Sequence, residues 1–458
     1  MRRRTSIVIG ACATLVLAGT AGTAAWTFSH DEGRPVGSWH DAPGVSRTAA
    51  AQQRAAAGAL GAVPAPGIAE MPARPAPPAK ADNRPARPDG GRTLLPESAA
   101  VPGRQKVGEL LAVDKLLGYV GAPRESFSYP GASYVKVHFD RMTMLPGDYL
   151  TVANPSGTES YRYDAPGVLN TNTVDRWAMS VTGDTAIVEM HRAGGTSLLG
   201  NLGVRVDRVA RGFTRTEQGR VPQAQLIGPG RTGREESVCD GDQSRDAVCY
   251  RSADPVAYTR SKAIARLLIN GIELCTGWRA GPRDRMVTNN HCFDNSADAY
   301  DTEVWFNYQC AVCKGYDTFQ PTKVWGDQVL ATNHVFDFTV FTVGNFAAIK
   351  KFGYLSFDST RPAKGQELYV PQHPAGEPTR IAGARGESVG NCVVANNAYD
   401  GYAKNSDVAY YCDTEGGSSG SPVLSRATGK VVALHHFGGC PNSGVRGDLL
   451  ATKLAKYL

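Results

Sequence analysis

Nine of the ten cysteines in this 458-residue chain lie between Cys239 and Cys440, and the tenth, Cys12, stands alone near the N-terminus. No other feature limits the possible folds as strongly. In an oxidising compartment such a cluster staples a domain, whereas in a reducing one it reads as metal ligands or a redox pair. The first residues point to the compartment. Met1-Arg-Arg-Arg4 precedes an uncharged run from Thr5 to Thr20 and then the small residues Ala21 to Ala25, the order of a secretory signal peptide. An uncleaved anchor is the alternative, but Gly, Ala and Thr make the run weakly hydrophobic for a stable span. Residues 1–25 are therefore expected to be removed with Cys12. The exported protein is then extracellular, keeps nine cysteines and has no lasting membrane attachment.

Composition shifts divide the rest. Residues 26–106 are rich in Ala, Pro and Arg, as in Ala73-Arg-Pro-Ala-Pro-Pro-Ala79, and ten of the 28 prolines fall from Pro64 to Pro102. Such a stretch cannot bury enough apolar surface to offset its ordering entropy, so it reads as disordered, semi-rigid linker. From Val107 to about 215 the pattern changes. Ser133-Tyr-Val-Lys-Val-His-Phe-Asp140 alternates apolar and polar residues, and similar short runs end at Ala153, Val181 and His191. Turn signals at Pro146-Gly-Asp148, Asn154-Pro-Ser-Gly157 and Thr182-Gly-Asp184 separate them. Residues 107–215 are expected to form a small β-sandwich, which resembles CUB-like domains although their cysteines are absent. A folded pro-segment, a spacer and a binding module all remain open for it. Residues 216–236 are polar linker, with a candidate processing site in the exposed-looking stretch Gly228 to Glu236. Residues 237–458 hold the cysteine-rich domain. The net charge of +6 is spread along the chain, so nothing calls for a nucleic-acid partner.

Three local sequences in the last region carry chemistry. In Cys275-Thr-Gly-Trp278 and Met286-Val-Thr-Asn-Asn-His-Cys292, a histidine sits beside a cysteine that can pair back to Cys275. A histidine pinned in this way is well placed for general-base work. Asp337 opens the apolar strand pattern Phe338-Thr-Val-Phe-Thr-Val343, where a buried carboxylate can orient a histidine. Asp413-Thr-Glu-Gly-Gly-Ser-Ser-Gly-Ser-Pro422 presents a serine among glycines, whose tight turn can aim backbone N–H groups at an oxyanion. Serine is a poor nucleophile without a base. His291, Asp337 and Ser419, at separations of 46 and 82 residues, are together far more specific than any one of them.

Thr288-Asn-Asn-His-Cys292, Asp337-Phe-Thr-Val340 and Gly417-Ser-Ser-Gly-Ser-Pro422 resemble the three signatures of chymotrypsin-like serine peptidases, nearest to bacterial lysyl endopeptidases and V8-like glutamyl endopeptidases. Trp305-Phe-Asn-Tyr-Gln309, Gln372-His-Pro374 and Lys430-Val-Val-Ala-Leu-His435 extend the likeness. The resemblance implies a mostly β fold of two six-stranded antiparallel barrels, made as a zymogen. It assigns Ser419 as nucleophile, His291 as base and acid, Asp337 as orienting group, and the N–H groups of Gly417 and Ser419 as the oxyanion hole. It also implies the bridges Cys239–Cys440, Cys249–Cys313, Cys275–Cys292 and Cys392–Cys412, with Cys310 left over. For selection of the residue before the scissile bond it offers two candidates. Asp413, six residues before Ser419, suits Lys or Arg, and His435 suits Glu. Protein or peptide substrates, a monomer and no cofactor or metal are expected. Cys310-Ala-Val-Cys313 lacks a second pair for zinc, and His435 and His436 alternate faces on a strand. A catalytically inactive binding protein, or a sandwich that tethers the protein to a surface, are the competing readings.

Overall fold

The computed structural model describes residues 35–36, 38–41, 80–81, 101–118, 121–165, 174–194, 202–224, 226–229, 238–239, 241–383 and 392–458. The expected signal sequence, and most of the Pro-rich stretch and of the candidate processing segment, lie outside them. Among the described residues no helix is long and apolar enough to cross a membrane.

The cysteine-rich region forms two barrels. In the first, strand Glu273–Arg279 pairs with both Ile264–Ile269 and Met286–Thr288, and the ring continues through Phe338–Val343, Thr322–Asn333 and Glu303–Phe306 back to Ile264–Ile269. The apolar run that begins at Ile264 is buried along its whole length, as closure on both edges and packing on both faces require. The second ring runs Leu368–Gln372, Pro422–Ser425, Val431–Gly438, Asn442–Arg446, Asp407–Tyr410 and Val394–Tyr399, and Glu367 closes it by bridging Val393. This is the mostly β, two-barrel architecture expected. The structure joins Cys239 to Cys440, Cys249 to Cys313, Cys275 to Cys292 and Cys392 to Cys412, and Cys310 is a buried free thiol.

Upstream, two five-stranded sheets, antiparallel except where Lys80–Ala81 pairs in parallel with Tyr161–Arg162, enclose Val135, Val137, Phe139, Leu150, Val152, Val188 and Val209 as a sandwich core. One expectation changes here. The alternation in Tyr134–Thr143 predicts a solvated polar face, yet Tyr134, Lys136 and His138 are as buried as their apolar neighbours. The first barrel covers part of that face. Lys136 Nζ lies 2.6 Å from Glu303, which also accepts the Ser180 N–H and hydroxyl and the Trp305 indole N–H. Lys323 of the barrel pairs with Glu159 of the sandwich at 2.7 Å and donates to the Ser180 carbonyl. Burial alone would raise the Glu303 carboxyl, but the two ammonium groups hold it below its ordinary range. The same burial depresses the Lys323 ammonium against the pull of its carboxylates.

Removing one member of a buried charge cluster leaves the others desolvated. Glu303→Ala deprives Lys136 of its buried carboxylate and is expected to lower unfolding stability by about 3–5 kcal/mol. A urea denaturation series measures it, and a loss below about 1 kcal/mol, the scale of a surface pair, would contradict this reading.

The linker expectation for 26–106 also changes at three short places, one of them Lys80–Ala81, paired with Tyr161–Arg162 of the sandwich. Pro35–Val36 pairs with Thr318–Phe319, and Gln105–Lys106 adds an antiparallel strand to Glu273–Leu274 of the first barrel. Residues 216–236 depart from a free linker too, because Leu226–Ile227 pairs in parallel with Phe437–Gly438 of the second barrel. Both segments satisfy their backbone groups on strand edges that the local sequence does not reveal.

Candidate active site

Strand Met286–Thr288 delivers His291 to the groove between the barrels, and the Cys275–Cys292 bridge ties the next residue to strand Glu273–Arg279. Asp337 ends a turn closed by its N–H to the His334 carbonyl. Its φ of 36° is a strained conformation for a side-chain-bearing residue. Asn289 fixes that backbone by donating to the Asp337 carbonyl at 2.8 Å. The Asp337 carboxylate then accepts three N–H groups: His291 N at 3.0 Å, His291 Nδ1 at 2.8 Å and His436 Nδ1 at 3.0 Å. Burial pushes this carboxyl up, but the two imidazoles outweigh it and hold it far below the usual carboxylate range. An ionised Asp337 selects the His291 tautomer protonated at Nδ1 and leaves Nε2 as the basic nitrogen. Nε2 is buried and has no hydrogen-bond partner.

Ser419 lies on the loop across the groove. Its carbonyl accepts the Thr276 N–H, and the following Gly420 N–H donates to the His435 carbonyl, so the loop is clamped to both barrels. Gly417 has φ 94°, and a Cβ there would come within 2.8 Å of the His373 carbonyl oxygen, so glycine is required. Thr276 holds this turn by donating to the Gly417 carbonyl at 2.9 Å. The structure thus joins His291 to Asp337 and places the Ser419 loop beside the strand that anchors His291. It does not make a Ser419–His291 hydrogen bond.

The two specificity candidates sit differently. Asp413 is buried and accepts the Gln243 N–H at 2.9 Å. His435 is buried against the Tyr410 hydroxyl, and desolvation pushes its imidazole down to about 3, so it is neutral. His436 points the other way, as alternation along a strand predicts. It bridges Asp337 and Asp407, and although burial disfavours its charge, Asp407 and Asp337 push it up to about 9. Sequence reading missed this buried imidazolium, because nothing local marks Asp407 as its partner. Cys275, His291 and Cys292 come within 4.8 Å of one another, but both thiols are in a disulfide and are not ligands.

The family profile of the trypsin-like peptidase domain matches residues 275–434, which include His291, Asp337 and Ser419. The C-terminal region is therefore a trypsin-like peptidase domain. The secreted RxLR effector protein 73 of Plasmopara viticola is 33% identical over 341 residues, covering 70% of this chain and 79% of that protein. The chain belongs to the same family as that protein, and the shared length exceeds the cysteine-rich region, so it reaches into the upstream residues. An uncharacterized protein, y4fB, of Sinorhizobium fredii (strain NBRC 101917 / NGR234) is 30% identical over 173 residues, 36% of this chain and 25% of that one. Among solved structures, a Glu endopeptidase in complex with MPD aligns at 19% identity and TM-score 0.35, over 48% of this chain and 98% of its own. The active form of the Rv3671c protease from M. tuberculosis aligns at 14% and TM-score 0.33, over 50% and 93%.

Proposed function

We propose that this protein is an exported serine endopeptidase with Ser419 as nucleophile, His291 as base and Asp337 as the group that orients it. The observation that carries this is the His291 ring, locked through Nδ1 to a buried carboxylate and left with an unpartnered Nε2, while the glycine-rich serine loop is hydrogen-bonded to the strand that the Cys275–Cys292 bridge ties to His291. Nε2 takes the Ser419 hydroxyl proton as Oγ attacks the carbonyl carbon of the substrate. The proton passes to the leaving amine as the C–N bond breaks, and water then attacks the acyl-enzyme by the reverse proton route. The N–H groups of Gly417 and Ser419 are the donors this loop would offer to the developing oxyanion.

For the residue before the scissile bond, a cationic side chain suits the site better than an acidic one. Burial holds the His435 imidazole in its neutral form before a substrate arrives, so protonating it for a glutamate carries a cost, whereas the carboxylate of Asp413 can attract an ammonium or guanidinium group. The four disulfides and the basic-apolar leader support export, as does the kinship with a protein described as a secreted effector.

A peptidyl phosphonate with lysine at the reacting position is expected to add covalently to Ser419, read by intact mass and peptide mapping. Its glutamate counterpart is expected to react more slowly. Absence of any adduct at Ser419 in a chain with an open cleft would reject the peptidase reading. Faster reaction of the glutamate reagent would reject only the specificity.

A further inference from the structure

Two upstream segments converge on the groove. In the first, Gly103 is buried with φ 85°, and a Cβ added to it would lie 2.5 Å from Cδ2 and 2.7 Å from Nε2 of His291. This backbone lies on the nitrogen assigned as base. Arg104 anchors it through buried ion pairs with Glu273 at 3.0 Å and Asp298 at 3.4 Å. Gln105 follows, paired with Leu274. Its fully buried side chain donates to the Pro222 carbonyl at 3.2 Å and accepts the Ala224 N–H at 2.9 Å, which couples the first segment to the second.

The second segment reaches the serine loop. Gln223 accepts the Gly416 N–H at 2.7 Å and donates to Glu415 at 3.1 Å. Gly416 is three residues before Ser419. Leu226 and Ile227 then occupy the edge of Val431–Gly438 at Phe437 and Gly438, next to His435 and His436. Extended polypeptides bind by adding to free strand edges. Here the edges at Leu274 and Phe437, which border the candidate base and nucleophile, are both taken by this chain.

We infer that residues 101–107, 218–224 and 226–227 form the arms of a built-in inhibitor carried by the sandwich, which covers His291 and fills the strand edges an extended substrate needs. The inference rests on the peptidase reading for the identity of the covered groups. A glycine is required at 103 because any side chain would enter the space of the imidazole. The arms are held by the sandwich, which is itself joined to the first barrel through Lys136–Glu303 and Glu159–Lys323. A cut after Ile227 breaks none of these contacts, so scission alone does not clear the groove. The arms must also leave.

Carbethoxylation of histidines in the full-length chain, mapped by mass spectrometry, reads the occlusion without requiring catalysis. In the natural chain His291 is expected to react slowly, and in Gly103→Leu at least about tenfold faster, as the population with a free groove rises. Gln223→Ala, which removes the contacts to Glu415 and Gly416, serves as the second variant if Gly103→Leu does not fold, with thermal melting as the folding check. Rapid modification of His291 in the natural chain, or no acceleration in a folded variant, overturns the inference. Accelerated modification of His291 without phosphonate addition at Ser419 leaves the occlusion standing and rejects the peptidase reading instead.

Discussion

Ser419→Ala is expected to lower kcat for peptide hydrolysis by about 10⁶-fold, measured in the Gly103→Leu background so that the arms do not limit the rate. The size follows from the division of labour in the groove. Without the hydroxyl, the Asp337–His291 pair has no proton to take, and what remains is substrate binding and the backbone donors of the Gly417 loop. Those alone retain about 10³–10⁴ over the uncatalysed reaction. KM is expected to change little, because the hydroxyl is used in the transition state and not in holding the substrate. Full activity in a Ser419→Ala chain would move the nucleophile elsewhere.

Asp337→Asn is expected to cost about 10⁴ in kcat while the chain remains folded. The carboxylate accepts from three donors: His291 N on one oxygen, and His291 Nδ1 and His436 Nδ1 on the other. An amide has a single acceptor oxygen. If that oxygen faces the two imidazoles, the amide NH₂ opposes the His291 backbone N–H. If it faces the backbone, the NH₂ opposes both rings and favours the His291 tautomer with its proton on Nε2, which cannot act as base. The substitution also removes one of the two carboxylates that charge His436. A loss in kcat under tenfold would show that Asp337 does not set the tautomer.

The parts of the site that the sequence makes legible are those whose meaning is local. Thr288 to Cys292, Asp337 to Val343 and Gly417 to Pro422 each carry a residue type in a context that chemistry recognises without knowledge of the fold. Strand periodicity in Ser133 to Asp140 likewise marks a β-sheet, since the side chains of a strand alternate whatever lies on either side. It does not say what covers each face. Lys136 reads as solvent-facing because the barrel carboxylate that meets it, Glu303, lies 167 residues further along the chain, and His138 because Asp175, Trp177 and Asp207 close over it from other strands of the sandwich.

His436 shows the same limit within the site. Its neighbour His435 and the alternation of a strand were enough to argue against a metal pair. The role of His436 depends on Asp337 and Asp407, at sequence separations of 99 and 29 residues. The Pro-rich and Gly-rich stretches beside the sandwich show it further. Composition describes how a segment behaves with no partner, and both Gln105–Lys106 and Leu226–Ile227 have one, a strand edge whose unpaired groups are invisible in their own residues.

Neighbouring residues alone therefore mark out a cysteine-rich, mostly β domain with a histidine, an aspartate and a serine in recognisable settings, because motif chemistry and strand period are local properties. The folded chain adds that a buried imidazolium shares Asp337, that the sandwich is joined to the first barrel by desolvated charge pairs, and that Gly103 lies across His291. Each of those facts depends on groups far apart in the chain meeting where water is excluded, and no local pattern encodes that meeting.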